Sequence, residues 1–161
     1  MVDYLREDLI GKNINATAKE MPTGEVIVRV RHIVANFYTK RLSVTKAEDW
    51  SDADNPPWQE AHYHELLSET YHVVTGWMLA VYRDDLGVYY EKLYTTEDSN
   101  TTITFPPGIV HNVLLGPNAE VIVWQQGNPG HEINESGRQP VTDFDYDYTQ
   151  LRDVIRCQIR K

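Results

Sequence analysis

The sequence has 161 residues, 41% of them hydrophobic and 24% charged, which predicts one globular domain with a real hydrophobic core. Its net charge of -9 argues against general binding to nucleic acids or anionic membranes, because both need a basic protein surface. Cys157 is the only cysteine, so a disulfide within the chain is excluded.

The residues from Met1 to Asp8 lack the basic and apolar regions of a secretory signal peptide. The chain also has no apolar run of about 18 residues, the length that a membrane-spanning helix requires. We therefore expect a cytoplasmic protein whose partner is a small-molecule substrate rather than a nucleic acid or a membrane.

The first part of the chain is predicted to be an N-terminal arm, residues 1–24. Within it, residues 3–10 favour a short helix, and residues 12–24 carry mixed polar residues, Gly and Pro that indicate irregular structure. From Glu25 to Ile33 the residues alternate and are rich in β-branched side chains, which predicts a strand. Residues 36–44 predict a second strand.

A loop over residues 46–60, with a Pro-Pro pair, precedes a series of short strands separated by turn residues. Many short strands at close spacing are typical of a sandwich or barrel rather than of alternating strands and helices. The predicted domain is thus an all-β barrel over residues 25–126, followed by a C-terminal tail and helix over residues 127–161. The strands are placed near 61–65, 69–75, 77–83, 87–95, 101–105, 109–115 and 119–125.

The tail is predicted to be a loop from Gly127 to Asp147 and a helix from Tyr148 to Ile159. Its apolar positions share one face, and its arginines line another, which favours a helix that covers the barrel with a solvated basic edge. A phosphate-binding patch is the alternative. The apolar positions are Leu151, Val154, Ile155 and Ile159, and the arginines are Arg152, Arg156 and Arg160.

Four residues carry the chemistry that the sequence suggests. His62 and His64 are two apart in a predicted strand, so their side chains point to the same face. Glu69 opens the next strand, and an antiparallel neighbour can bring its carboxylate back to the same point. His111 follows a turn of Pro and Gly immediately before a later strand, which directs its imidazole inward.

A His-x-His pair by itself favours two hydrogen-bonded structural histidines. The spacing to Glu69 and the separate turn before His111 instead favour a metal site. Three imidazoles and one carboxylate suit one divalent transition metal, Mn, Fe, Ni, Co or Zn, better than Ca or Mg. Such a site can keep positions open for a substrate, water or O2.

These residues resemble the two signature motifs of the cupin superfamily, over residues 56–125. The first motif, His-x-His, four residues, Glu, six residues, Gly, is met by its two histidines, Glu69 and Gly76. The second motif, Pro-x-Gly-x-x-His, is met by Pro106, Gly108 and His111. Departures occur where the family usually has Gly before each motif and Asn at the end of the second, since Pro56, Asn100 and Leu115 stand there.

The resemblance implies a small single-domain metal-binding cupin, with a double-stranded β-helix, or jelly-roll barrel, around the metal. It also implies a homodimer formed through N-terminal strands. The first motif is similar to that of cupins of carbohydrate metabolism. We therefore expect an isomerase or epimerase that acts on a sugar or sugar derivative. An Fe-dependent dioxygenase and a non-catalytic small-molecule or metal-binding cupin are the alternatives, because fold alone does not imply one reaction.

Alternation along the strands suggests which other side chains face the metal. If Glu69 points inward, Tyr71 does too, and its hydroxyl is a candidate catalytic proton donor or sugar contact, with packing beside the ligands as the alternative. His72 faces the opposite way and is interpreted as structural. Trp124 and Gln125 take opposite faces of the last strand, so only one of them lines the cavity.

Overall fold

The computed structural model describes residues 16–20, 26–30, 39–97, 99–127 and 138–161. The predicted helix over residues 3–10 lies outside them. The strands are β1 (Ala16–Glu20), β2 (Val26–Val30), β3 (Thr39–Lys46), β4 (His62–His64), β5 (Leu67–Thr75), β6 (Trp77–Arg83), β7 (Tyr89–Thr95), β8 (Thr102–Phe105), β9 (Val110–Leu115), β10 (Glu120–Gly127) and β11 (Arg138–Pro140). A 3-10 turn (Tyr148–Leu151) then leads into helix α1 (Arg152–Ile159).

The strands form two sheets in which every pairing is antiparallel. One sheet has the order β1-β2-β3-β10-β5-β8, and the other has the order β11-β4-β9-β6-β7. Strands that are distant in sequence are therefore neighbours in space, as in a jelly roll. The prediction of an all-β fold with a short C-terminal helix is confirmed.

Apolar side chains fill the space between the two sheets. Met78 and Ala80 of β6 alternate with residues that point outward, and Val73 and Val121 of the other sheet belong to the same buried cluster. Each of these four side chains is at most 1% exposed. This packed interior fixes the register of the strands, since a slip of one residue would turn each apolar side chain to the wrong face.

A second cluster covers the outer face of the five-stranded sheet. Leu79 and Leu114 point away from the barrel interior and pack with Leu151 and Ile155 of the C-terminal segment. The predicted covering role of the helix is therefore supported by its buried contacts with the sheet.

Within the described ranges, no helix has the length and apolar character needed to cross a membrane.

The basic edge of α1 lies against an acidic residue of the loop before β4. Arg156 donates to Asp54 at 2.7 Å, and Arg152 lies 3.7 Å from the same carboxylate. These pairings favour a solvated edge over a phosphate-binding patch. Val154, which the sequence groups with the apolar face, is instead exposed, because it lies at the margin of the covered stripe.

Polar contacts hold the segment before the 3-10 turn on the sheet. Arg83 donates to the backbone carbonyl of Asp143 at 3.1 Å. The hydroxyl of Tyr89 donates to the carboxylate of Asp145 at 2.7 Å. The C-terminal residues thus follow the sheet before they reach the helix.

Two strands lie in segments that the sequence predicts to be irregular. β1 falls within the predicted arm and pairs with β2, and β11 falls within the predicted loop and pairs with β4. Both predictions of irregular structure are wrong at these residues. The reason is that both strands are short and polar and lie at sheet edges, so backbone hydrogen bonds form them without the apolar alternation that identifies a strand.

Tight turns between strands use residues with positive φ. Gly76, with φ 75°, joins β5 to β6, and Gly87, with φ 80°, lies between β6 and β7. Asn118, with φ 56°, precedes β10 and is the one non-glycine residue of positive φ in the described ranges. Asn100, which stands where the cupin family usually has Gly, does not have a positive φ.

Gly76 and Gly87 both have positive φ, but only Gly76 has close neighbours. Alanine substitutions at the two positions therefore distinguish the cost of backbone strain from the cost of crowding. Gly76→Ala brings a methyl group to 3.1 Å from the Cβ of Ala119, whereas nothing lies within 4 Å of a Cβ at Gly87. We expect Gly87→Ala to lose about 1–2 kcal/mol from left-handed strain, and Gly76→Ala to lose about 1–3 kcal/mol more from overpacking. Urea unfolding of both variants measures this difference, and equal losses would contradict it.

Candidate metal centre

The three histidines of the predicted site lie together on the inner face of the five-stranded sheet. His62 and His64 are the buried ends of β4, and the intervening Tyr63 is only half-buried. In β9, His111 is the direct cross-strand partner of His62. The amide of Gly108 donates to the carbonyl of His64 at 2.8 Å, so the turn before β9 is tied to the first motif.

Glu69 reaches the same point from β5 of the opposite sheet. Its Oε2 atom lies 3.5 Å from Nε2 of His62, 3.3 Å from Nε2 of His64 and 3.1 Å from Nε2 of His111. Glu69 is only 6% exposed, and His111 only 1%. The structure thus brings all four residues of the predicted site together inside the barrel.

Backbone carbonyls set the orientation of two of the imidazoles. Nδ1 of His62 lies 2.9 Å from the carbonyl oxygen of Glu60, and Nδ1 of His111 lies 3.0 Å from that of Ile109. We assign a proton to each Nδ1, because a carbonyl oxygen can only accept. In the neutral rings, Nε2 therefore carries a lone pair that points toward Glu69, which is the arrangement of histidines that bind metals.

The charges of these groups call for a cation between them. Burial raises the pKa of Glu69, but hydrogen bonds with His111, His62 and His64 outweigh it and hold that pKa well below its usual range. Burial lowers the pKa of His62, which opposes a second proton on its ring. Because Nδ1 of His62 already donates to a carbonyl, its Nε2 can donate to Glu69 only if the ring carries that second proton. One metal ion between the groups would supply the positive charge instead.

The spacing of these atoms fits one ion. The ligand atoms of His62, His64 and Glu69 all lie within 4.8 Å of one another, and His111 adjoins them through Glu69. Two atoms that each lie about 2.0–2.2 Å from a common metal are at most about 4.4 Å apart. The distances of 3.1 to 3.5 Å from Oε2 of Glu69 to the three Nε2 atoms lie within that limit. The donor set of three imidazoles and one carboxylate suits a divalent transition metal.

Three further side chains contact these four residues. The hydroxyl of Tyr71 donates to Oε2 of Glu69 at 3.0 Å. Nε2 of Gln125 donates to the other oxygen, Oε1, at 2.8 Å. The ring of Phe105 stacks on the imidazole of His111, with centroids 4.0 Å apart and planes 5° from parallel.

Strand alternation predicts that Tyr71 lies beside the ligands, and in the structure this side chain does so and is 4% exposed. It leaves Trp124 and Gln125 as alternatives, and the structure selects Gln125, which is also 4% exposed. It does not include Phe105, although that residue directly precedes the turn of the second motif and pairs with Glu69 across β5 and β8.

His72 lies outside the site, as expected from alternation. It is on β5 but points to the outer face, where its Nδ1 lies 2.8 Å from the hydroxyl oxygen of Thr102. This contact gives it the structural role that the sequence suggests. It also makes His72 a useful control for the histidines inside the barrel.

No protein-family model matches the sequence, and no curated protein sequence matches it closely. Solved structures do resemble it. A variant of oxalate decarboxylase from Bacillus subtilis superposes with a TM-score of 0.59 at 17% identity, over 81% of this chain and 31% of that one. The capsular polysaccharide assembling protein CapF from Staphylococcus aureus superposes with a TM-score of 0.58 at 16% identity, over 78% and 34%.

This chain has the cupin fold. Oxalate decarboxylase and CapF are both cupin-fold proteins, and the topology of two antiparallel sheets around a buried cluster of histidines is the one that the motifs imply. The likeness covers about a third of the length of each solved structure. At identities below 20% it establishes the fold and leaves the activity to be argued from the site.

We expect divalent metal to raise the thermal stability of this protein, because an ion that binds only the folded state contributes about 2.7 kcal/mol at 100 times its Kd. Melting temperatures with Mn2+, Co2+ or Zn2+ and with EDTA measure the effect. His111→Ala should abolish the increase, while His72→Ala, which changes a histidine on the outer face, should keep it. Equal increases in both variants would contradict a site at His111.

Proposed function

We propose that this cupin binds one divalent transition metal through His62, His64, Glu69 and His111 and isomerises or epimerises a sugar or sugar derivative. The proposal includes a cytoplasmic homodimer with a small-molecule substrate. The observation that carries it is the position of a buried hydroxyl, that of Tyr71, 3.0 Å from the one carboxylate oxygen that faces all three imidazoles.

The metal, when bound, would polarise adjacent hydroxyl and carbonyl oxygens of a substrate as a Lewis acid. Tyr71 would then lie beside the reacting oxygens. Its hydroxyl is both a donor and an acceptor, so it can give a proton to a substrate oxygen or hold one during the rearrangement. Glu69 keeps this hydroxyl oriented toward the metal ligands through their shared hydrogen bond.

The lining of the barrel supports a polyol substrate. Tyr82 is the cross-strand partner of His111, and its ring stacks on that of Tyr90 with centroids 5.3 Å apart and planes 18° from parallel. The ring of Tyr82 also lies 5.8 Å from Phe105, which stacks on His111. Aromatic rings thus lead from half-exposed Tyr90 to the metal ligands, and such rings offer an apolar face to the C–H groups of a sugar.

The solved structures support this substrate class only in part. CapF is described as a protein that assembles a capsular polysaccharide, which is carbohydrate chemistry. Oxalate decarboxylase acts, by its name, on a small dicarboxylate. Since one fold accommodates both, the choice of a sugar rests on the hydroxyl and aromatic groups of this chain.

We expect the reaction to proceed without O2 and to exchange a carbon-bound hydrogen with solvent. The experiment incubates the metal-loaded protein anaerobically in D2O with aldoses, ketoses and nucleotide sugars, and follows the products by NMR and mass spectrometry. A product that has the composition of an isomer of the substrate, with one carbon-bound hydrogen replaced by deuterium, supports the proposal. Turnover that requires O2 would instead identify the dioxygenase alternative, and metal binding without turnover on any substrate class would favour a non-catalytic cupin.

Tyr71→Phe removes the proposed proton carrier and keeps the ring. We expect kcat to fall about 100-fold or more, the usual size of a general acid-base contribution, while metal content at saturating metal stays at the wild-type value. Tyr94→Phe is the matched control, because Tyr94 is also a buried tyrosine of the barrel interior but makes no contact with Glu69 in the described residues. Equal kcat values for the two variants would argue for a packing role of Tyr71.

A further inference from the structure

Gln125 is a polar side chain in the buried interior of the barrel. On β10 the inward residues before it are Val121 and Val123, and all three side chains are buried. A buried amide is costly unless its groups form hydrogen bonds. Gln125 meets this requirement through Glu69, its direct cross-strand partner on β5.

The two oxygens of Glu69 have different surroundings. Oε2 faces the three Nε2 atoms of the histidines at 3.1 to 3.5 Å and accepts from Tyr71. Oε1 accepts from Nε2 of Gln125 at 2.8 Å. The same amide nitrogen lies 3.4 Å from Nε2 of His64, so Gln125 sits against two of the four ligands.

We propose that Gln125 is a positioning residue that holds Oε1 of Glu69 away from the metal, so that this carboxylate binds through Oε2 alone. If no other residue holds either oxygen of a carboxylate, both oxygens can bind the metal and occupy two of its coordination positions. Held by one oxygen, Glu69 leaves one more position of the metal for the adjacent oxygens of a substrate. This inference rests on the proposed metal site and adds a residue outside both cupin motifs.

The test compares two neighbouring glutamines of β10. Gln125→Met keeps the length of the side chain and removes the amide donor, and Gln126→Met makes the same change at an exposed residue that follows it. Both proteins and the wild type are titrated with Mn2+ and with Co2+ by calorimetry. The visible absorption of bound Co2+ is recorded, because its intensity depends on the number of ligands.

We expect Gln125→Met to raise the Kd for Mn2+ about 10- to 100-fold, the usual effect of losing a residue that orients a metal ligand. The Co2+ absorption should weaken, as an added carboxylate oxygen raises the coordination number. Gln126→Met should match the wild type in both measurements. Gln125→Asn, whose amide is one methylene too short to reach Oε1, serves as a second variant should Gln125→Met not fold.

Other outcomes would overturn the inference. A Co2+ spectrum and Mn2+ affinity unchanged by Gln125→Met would show that Glu69 needs no such support. Reduced stability in EDTA with an unchanged Co2+ spectrum would assign Gln125 a packing role only. Wild-type protein that binds neither metal would overturn the proposed function as well, whereas a failure confined to the Gln125 variants leaves that function intact.

Discussion

The buried carboxylate of Glu69 is the interaction on which the interior of this barrel depends. An ionised carboxylate removed from water is costly unless hydrogen bonds and opposite charge surround it. Glu69 comes from the six-stranded sheet, together with Tyr71 and Gln125, whereas the three imidazoles around it come from the five-stranded sheet. One ion at this point would therefore bind groups from both halves of the barrel and hold the two sheets together.

The rest of the fold makes this arrangement rigid. Aliphatic side chains fill the remainder of the interior, and a second apolar layer under the C-terminal helix covers the outer face of the histidine-bearing sheet. His62 and His111 lie on adjacent strands in direct register, and the amide of Gly108 closes the following turn onto His64. Ligands placed on strands in this way keep their geometry better than ligands on loops.

Sequence reasoning succeeds where a short-range rule governs the outcome. The two-residue period of a strand is enough to put His62 and His64 on one face and Tyr63 on the other. The same period places Tyr71 inside with Glu69 and His72 outside. It fails for β1 and β11, because these short, polar strands at the sheet edges are held by backbone hydrogen bonds and lack the apolar alternation that identifies a strand.

The sequence by itself determined the all-β class and which four candidate metal-binding side chains meet inside the barrel, since these follow from strand alternation and from the spacing of the two motifs. Only the tertiary structure decided that Gln125 rather than Trp124 faces the interior, and that Phe105 stacks on His111. Alternation states that two neighbours face opposite ways but not which of them faces inward. That choice depends on how β10 pairs with β5 and β3, and this register is set by packing across the whole barrel.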